Sequence, residues 1–146
     1  MTTIREQILA AAVTAIETAV APVTVYRSRS EAFRPGQLPA VVLRPESDVP
    51  GDRDSTLCWC PWSLTMVVDV VVAAAPPCQV ADPIVEDVHA ALMAAEDLGL
   101  PQFGVDISPG ACEWSDEHQG ELVGMTRCRW VVRYRTAWDS LASSGS

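Results

Sequence analysis

Sorted by a period of two, the stretch from Met125 to Thr136 separates into two kinds of residue. Successive strand side chains point to opposite faces, so Cys128, Trp130, Val132 and Tyr134 fall on one side. Arg127, Arg129, Arg133 and Arg135 fall on the other, around Val131. The pattern predicts a strand with one face on a core and four guanidiniums on the other. A longer alternation runs from Leu57 to Ala74, with Leu64, Met66, Val68, Val70 and Val72 set against Ser63, Thr65, Val67, Asp69 and Val71. Pro61 marks a bend or an edge near its start. If these two strands are neighbours, Asp69 is the expected partner of Arg129 or Arg133, since opposite charges across strands attract.

The helical period appears twice. Thr3 and Glu6 have capping-box spacing, and Ile4, Ile8, Ala12, Ile16 and Val20 then recur on one stripe until Pro22 ends the helix. In the second helix Asp82 is the expected N-cap and Pro83 the first-turn proline. Ile84, Val88, Ala91, Leu92 and Ala95 face inward, and Gly99 and Pro101 stop the chain. Val23 to Arg27 reads as a short strand, Ser28 to Gln37 as a polar connection, and Leu38 to Arg44 as a strand covered on both faces and closed by Pro45. Glu46 to Thr56 is acidic and aperiodic, a loop. Phe103 to Ser108 reads as a strand, and Pro109 to Gly120 as a turn-rich excursion through Trp114 and His118. The order helix, strand, strand, long strand, helix, strand, strand predicts an α+β fold, with two helices packed on a largely antiparallel, mixed sheet. Residues 1–139 form one domain, and 140–146 a small polar tail expected to be free.

Composition narrows the function classes. The chain has 146 residues and a net charge of −9, which argues against a dedicated nucleic-acid binder. No apolar run is long enough to span a bilayer and the first residues lack a signal-peptide layout, so a protein kept inside a cell, with no membrane contact, is expected. All ten cations are arginine, a side chain suited to forked pairing with carboxylates at interfaces. The five cysteines, Cys58, Cys60, Cys78, Cys112 and Cys128, are irregularly spaced and read as reduced thiols.

No arrangement points to catalysis. Cys58, Cys60, Cys112 and His118 do not have the paired spacing of structural zinc, and His89 has no nucleophile motif around it. There is no phosphate loop and no lysine for Schiff-base chemistry. Neither an enzyme nor a metal or cofactor is expected. Trp59, Trp62, Trp114, Trp130 and Trp138 suit core and interface anchoring better than base stacking in so acidic a chain. Three uses of the arginine face stay open: pairing within the subunit, pairing with a neighbouring subunit, and contact with DNA in a channel.

The opening helix with Ile4-Arg5, Val25-Tyr26-Arg27-Ser28-Arg29, Leu38-Pro39-Ala40-Val41-Val42, the helix from Asp82 ending at Leu98-Gly99-Leu100, and the closing Tyr134-Arg135-Thr136 resemble, in that order, tail terminator proteins of long-tailed bacteriophages, the minor tail protein U type. The resemblance implies a virion protein without catalysis. It would form a ring, expected to be a hexamer, on the head-proximal end of the tail tube. There it would stop tube polymerisation and present a surface to the head-tail connector or neck protein, with DNA passing through the lumen without specific binding. Another neck or head-completion ring protein is the alternative, and a small ligand-binding α+β domain a more distant one. A head-to-tail ring needs two complementary patches. The candidates are Asp48, Asp52 and Asp54 on one side and Arg27, Arg29, Arg34, Arg127, Arg129, Arg133 and Arg135 on the other.

Overall fold

The computed structural model describes residues 2–29, 31–52, 58–94, 97–118 and 122–143. Helix α1 spans Ile4–Val20, and Thr3 caps it by accepting a hydrogen bond from the Glu6 amide at 3.2 Å. The Glu6 carboxylate does not complete the box; it turns to the Arg27 guanidinium instead. The predicted stripe of Ile4, Ile8, Ala12, Ile16 and Val20 is buried, together with Leu9. Each fully buried aliphatic contributes about 1.5–3 kcal/mol, so this face, more than helix propensity, holds α1 in place.

The strands are β1 (Thr24–Arg27), β2 (Ala40–Pro50), β3 (Cys60–Val72), β4 (Asp106–His118) and β5 (Leu122–Thr136), in spatial order β1-β2-β3-β5-β4. The β1/β2 pair is parallel and the others are antiparallel. With helix α2 (Pro77–Met93) this is the expected α+β fold of two helices on a mixed sheet. Helix α2 begins earlier than Asp82, because the Pro76-Pro77 pair opens it and Pro83 lies inside it. Pro83 is exposed, so the backbone carbonyl it strands can be hydrated. Ala81, Val88 and Leu92 form the buried stripe, Ile84 and Ala91 are half-buried, and Ala95 lies outside the described residues.

Two strands run past their expected ends. Pro45 does not close β2, which continues to Pro50 along β3. Pro109 does not open an excursion, because β4 stays paired with β5 as far as His118. In each case the register shifts at the proline, between Pro45 and Ser47 and between Pro109 and Cys112. Both irregularities lie where one side of the strand has no partner: β1 pairs only with residues 40–43 of β2, and β4 is the outer strand. Prolines and bulges belong at such edges. At the second bulge a Cβ on Gly110 would stand 3.0 Å from the Arg129 carbonyl oxygen, so a side chain there would press on the neighbouring backbone and push it back by a few tenths of an ångström.

Both helices pack on one face of the sheet. Val41 and Leu43, the even-numbered residues Leu64 to Val72, Ile107, and Cys128, Trp130, Val132 and Tyr134 share a core with α1 and α2. The face assignment of β5 is therefore as the alternation predicts. The bulge after Pro45 reverses the alternation in β2. Arg44 and Ser47 both lie on the helix-free face, opposite Val67 and Thr65, whereas Asp48, opposite Leu64, is turned toward the helices. The C-terminal segment expected to be free is tied at its start: the Ile4 amide donates to the Leu141 carbonyl at 2.9 Å, and the Ala137 amide to the Ser143 carbonyl at 2.7 Å.

Candidate functional site

The helix-free face is built from cross-strand rows. One row runs Val42, Asp69, Arg127, Glu113 from β2 to β4, each residue directly opposite the next. Asp69 is 6% exposed between Val67 and Val71, and a carboxylate so placed needs a charged, hydrogen-bonding partner. Arg127 supplies it: Nε donates to Oδ1 at 2.8 Å and Nη2 to Oδ2 at 3.3 Å. Arg44 Nε approaches the same carboxylate at 3.8 Å. The hydrogen bond to Asp69 raises the Arg127 pKa further above its ordinary value.

The partner of Asp69 is thus neither Arg129 nor Arg133. Arg129 lies opposite Val67 and Arg133 opposite Ser63, whereas Arg127 is in register with Asp69. Arg129 instead donates to Glu46 at 2.8 Å and pairs with Glu113 at 3.3 Å. Arg44, Arg127 and Arg129 therefore stand against Glu46, Asp69 and Glu113, three cations facing three anions in one layer. Glu46 and Glu113 escaped the sequence reading because one was placed in a loop and the other in a turn. Period-two counting restarted after each bulge would have found Glu113.

The other candidate residues are dispersed. Arg133 is exposed and stands directly opposite Asp106 of β4, and among the described residues no carboxylate comes within 4 Å of its guanidinium. Arg135 stacks over the Trp59 ring at 4.8 Å and lies against Gly104, whose φ of +64° suits a residue without a Cβ. Arg27 is on the helix side with Glu6, one of its hydrogen bonds being 3.1 Å. Arg29 sits over the rings of Tyr26 and Phe33 at 4.8 and 4.5 Å and donates to Gln37 Oε1 at 3.2 Å, folding the connection between β1 and β2 onto itself. Arg34 is exposed, with its amide bonded to the same Gln37 oxygen at 2.8 Å.

Of the acidic set, Asp52 is exposed and Asp54 lies outside the described residues. Asp48 is not a loop residue: its side chain is 7% exposed beneath α1, bonded by the Tyr134 hydroxyl and 3.4 Å from Arg5 Nε. Burial raises its pKa, more than the Tyr134 hydrogen bond and the Arg5 charge lower it. The Glu46 to Pro50 part of the expected acidic loop is strand, paired within its own subunit, and residues 53–56 fall outside the described set. An open groove of about 300 Å³ adjoins the charge layer, with Phe33, Leu38, Val42, Val71 and Met125 in its lining. Trp114, 65% exposed on β4, borders α2 near Cys78 and Asp82.

Among the described residues no group of His, Cys, Asp and Glu is arranged to hold a metal ion, and no helix is long and apolar enough to cross a membrane. No family model and no curated protein matches the chain. Among solved structures it is similar to a chain of the virion of native gene transfer agent (GTA) particle, with a TM-score of 0.51 and 21% sequence identity, over 91% of this chain and 90% of that one. At that identity the likeness shows a common fold.

Proposed function

We propose that this chain is a structural protein of a phage-like particle, and within it the tail terminator: a subunit of a ring, expected to be a hexamer, that caps the head-proximal end of the tail tube and receives the head-tail connector. The observation that carries the reading is the fold shared, nearly end to end, with a chain of a virion. The order of short sequence features resembling tail terminators supports the finer assignment. The charge layer supports a role in protein contacts over DNA contacts, because three guanidiniums already neutralised by three carboxylates offer a phosphate backbone no net attraction. Arg133 and the exposed Trp114 are the side chains best placed to meet a neighbour, since an exposed guanidinium with no carboxylate within 4 Å and an exposed indole are both typical interface anchors.

The test is to add gold-labelled protein to purified tails and to heads separately, and to image both by negative stain. Label at a single end of each tail is expected. Label along the tube would refute termination, because a protein that copolymerises cannot cap. Label on heads but not on tails would assign the chain to the neck or head-completion ring instead.

A further inference from the structure

Cys112 and Cys128 lie directly opposite one another on β4 and β5. Their Sγ atoms are 2.7 Å apart, less than an ångström longer than a covalent S–S bond of about 2.05 Å. Facing residues on antiparallel strands have Cα atoms about 4.5 or 5.5 Å apart according to the hydrogen-bond pattern. Both spacings fall within the roughly 4.4–6.8 Å that a disulfide spans, so closure asks for side-chain rotation without a shift of the strands. We propose that this pair is a site of oxidative modification, a cross-strand disulfide that fastens the outer strand β4 to β5.

The two thiols divide the chemistry by access. Cys112 is exposed and Cys128 is 2% exposed, so a small disulfide such as oxidised glutathione meets Cys112 first. The Cys112 thiolate attacks one glutathione sulfur, the glutathione S–S bond breaks, and one glutathione thiolate leaves. Cys128 then loses its proton and attacks Cys112 Sγ, expelling the second glutathione. Two protein thiols are oxidised and one glutathione disulfide is reduced to two thiols. Burial first, and then the hydrogen bond with Cys112, push the Cys128 thiol up to about 12, which makes closure slower than capture. The other cysteines lack such a geometry. Cys60 directs its sulfur to the Pro61 carbonyl at 3.7 Å, and Cys58 and Cys78 are exposed thiols.

The bridge acts where the sheet is held from one side only, since β4 is the outer strand. It closes a loop between positions 16 apart in sequence, joining the two strands of the β4/β5 hairpin midway along their length, on the turn side of the bulge at Gly110. Inside a reducing cell the dithiol persists, and in oxidising surroundings the disulfide forms. The site stands whether or not the chain terminates a tail.

Full-length protein carrying Cys58→Ser, Cys60→Ala and Cys78→Ser is incubated with oxidised glutathione, denatured, treated with iodoacetamide and weighed. The expected product is a monomer lighter by two hydrogen atoms than the reduced chain, with no alkylation and a Tm higher by about 5 °C or more. Two alkylatable thiols, a persistent glutathione adduct or a disulfide-linked dimer would overturn the proposal. Should the triple variant fail to fold, wild-type protein oxidised and digested without reduction answers the same question. A linked peptide joining Cys112 to Cys128 is expected there, and its absence refutes the assignment.

Discussion

Replacing Asp69 with Asn tests the charge layer with little change of shape. The wild-type carboxylate accepts two hydrogen bonds from Arg127, at 2.8 and 3.3 Å, and is nearly sealed from solvent. A hydrogen bond to a charged group is worth about 1.5–3 kcal/mol and a neutral one about 0.5–1.5 kcal/mol, so neutralising Asp69 weakens one bond by about 1 kcal/mol. The amide NH2 also meets an Arg127 N–H where an oxygen stood, turning the second bond into opposed donors and costing about 1 kcal/mol more. Because the Arg127 side chain is 31% exposed, it can turn toward water and recover part of this loss. The net expectation is a destabilisation of about 1–2 kcal/mol, or a fall in Tm of roughly 2–8 °C for a chain of this size. Thermal unfolding followed by circular dichroism, with urea titration for ΔG, measures it. Pairing Asp69→Asn with Arg127→Met in a double-mutant cycle isolates the interaction. If Asp69→Asn melts within a degree of wild type, or if the two changes are simply additive, the carboxylate is not held by Arg127 as described.

Trp130 is 2% exposed with its indole N–H lacking a partner, so Trp130→Ala should cost about 3–5 kcal/mol. Trp130→Phe, which removes the unpaired N–H, should cost clearly less, and chemical denaturation of the two variants checks the order. Asp48 titrates above the ordinary carboxylate value when folded, so the folded state holds the proton more tightly than the unfolded state. Its contribution to stability is then greatest below the ordinary value and is lost as pH rises through the raised one. Asp48→Asn should remove that decline in a stability-versus-pH series, and an unchanged slope would show the carboxylate to be solvated. Glu6 has the opposite sign: the Arg27 hydrogen bond lowers its pKa, so a small stabilisation present above the ordinary value is lost on acidification, and Arg27→Ala should abolish it. Arg133→Glu, which sets a like charge opposite Asp106, should cost no more than about 1 kcal/mol while weakening attachment to tails in a salt-dependent manner. Unaltered attachment by pelleting at low salt would remove Arg133 from the contact surface.

The alternation of β5 was legible because both of its faces carry a consistent chemistry, core on one and guanidinium on the other, over the whole strand. The α1 stripe was legible for the same reason. What escaped was set by backbone events that side-chain patterns do not encode. Pro45 and Pro109 resemble strand ends in sequence, yet each sits where the strand has an unpartnered side and the chain can continue. Asp82-Pro83 imitates a helix start, but the Pro76-Pro77 pair had already begun one. The partner of Asp69 depended on register, which two residues of slippage change from Arg127 to Arg129. The same reason concealed the charge layer, whose anions come from stretches the sequence marked as loop and turn.

The bulge at Pro45 to Ser47 also changes which kinds of mutation the gene can absorb. Along most of β2 a substitution alters one side chain and leaves its neighbours where they were. Loss of the single codon for Glu46 would remove the one extra residue and restore a regular ladder, with Ser47 still opposite Thr65 and Asp48 still opposite Leu64. Asp48 would keep Tyr134 and Arg5, and the loss would fall on Arg129, which gives up one carboxylate. A residue added beyond the bulge has no such slack and would exchange the faces of those after it, turning Asp48 to solvent and Val49, now 58% exposed, beneath α1. In related genes this strand should therefore be found one residue shorter at this point, and not longer beyond it.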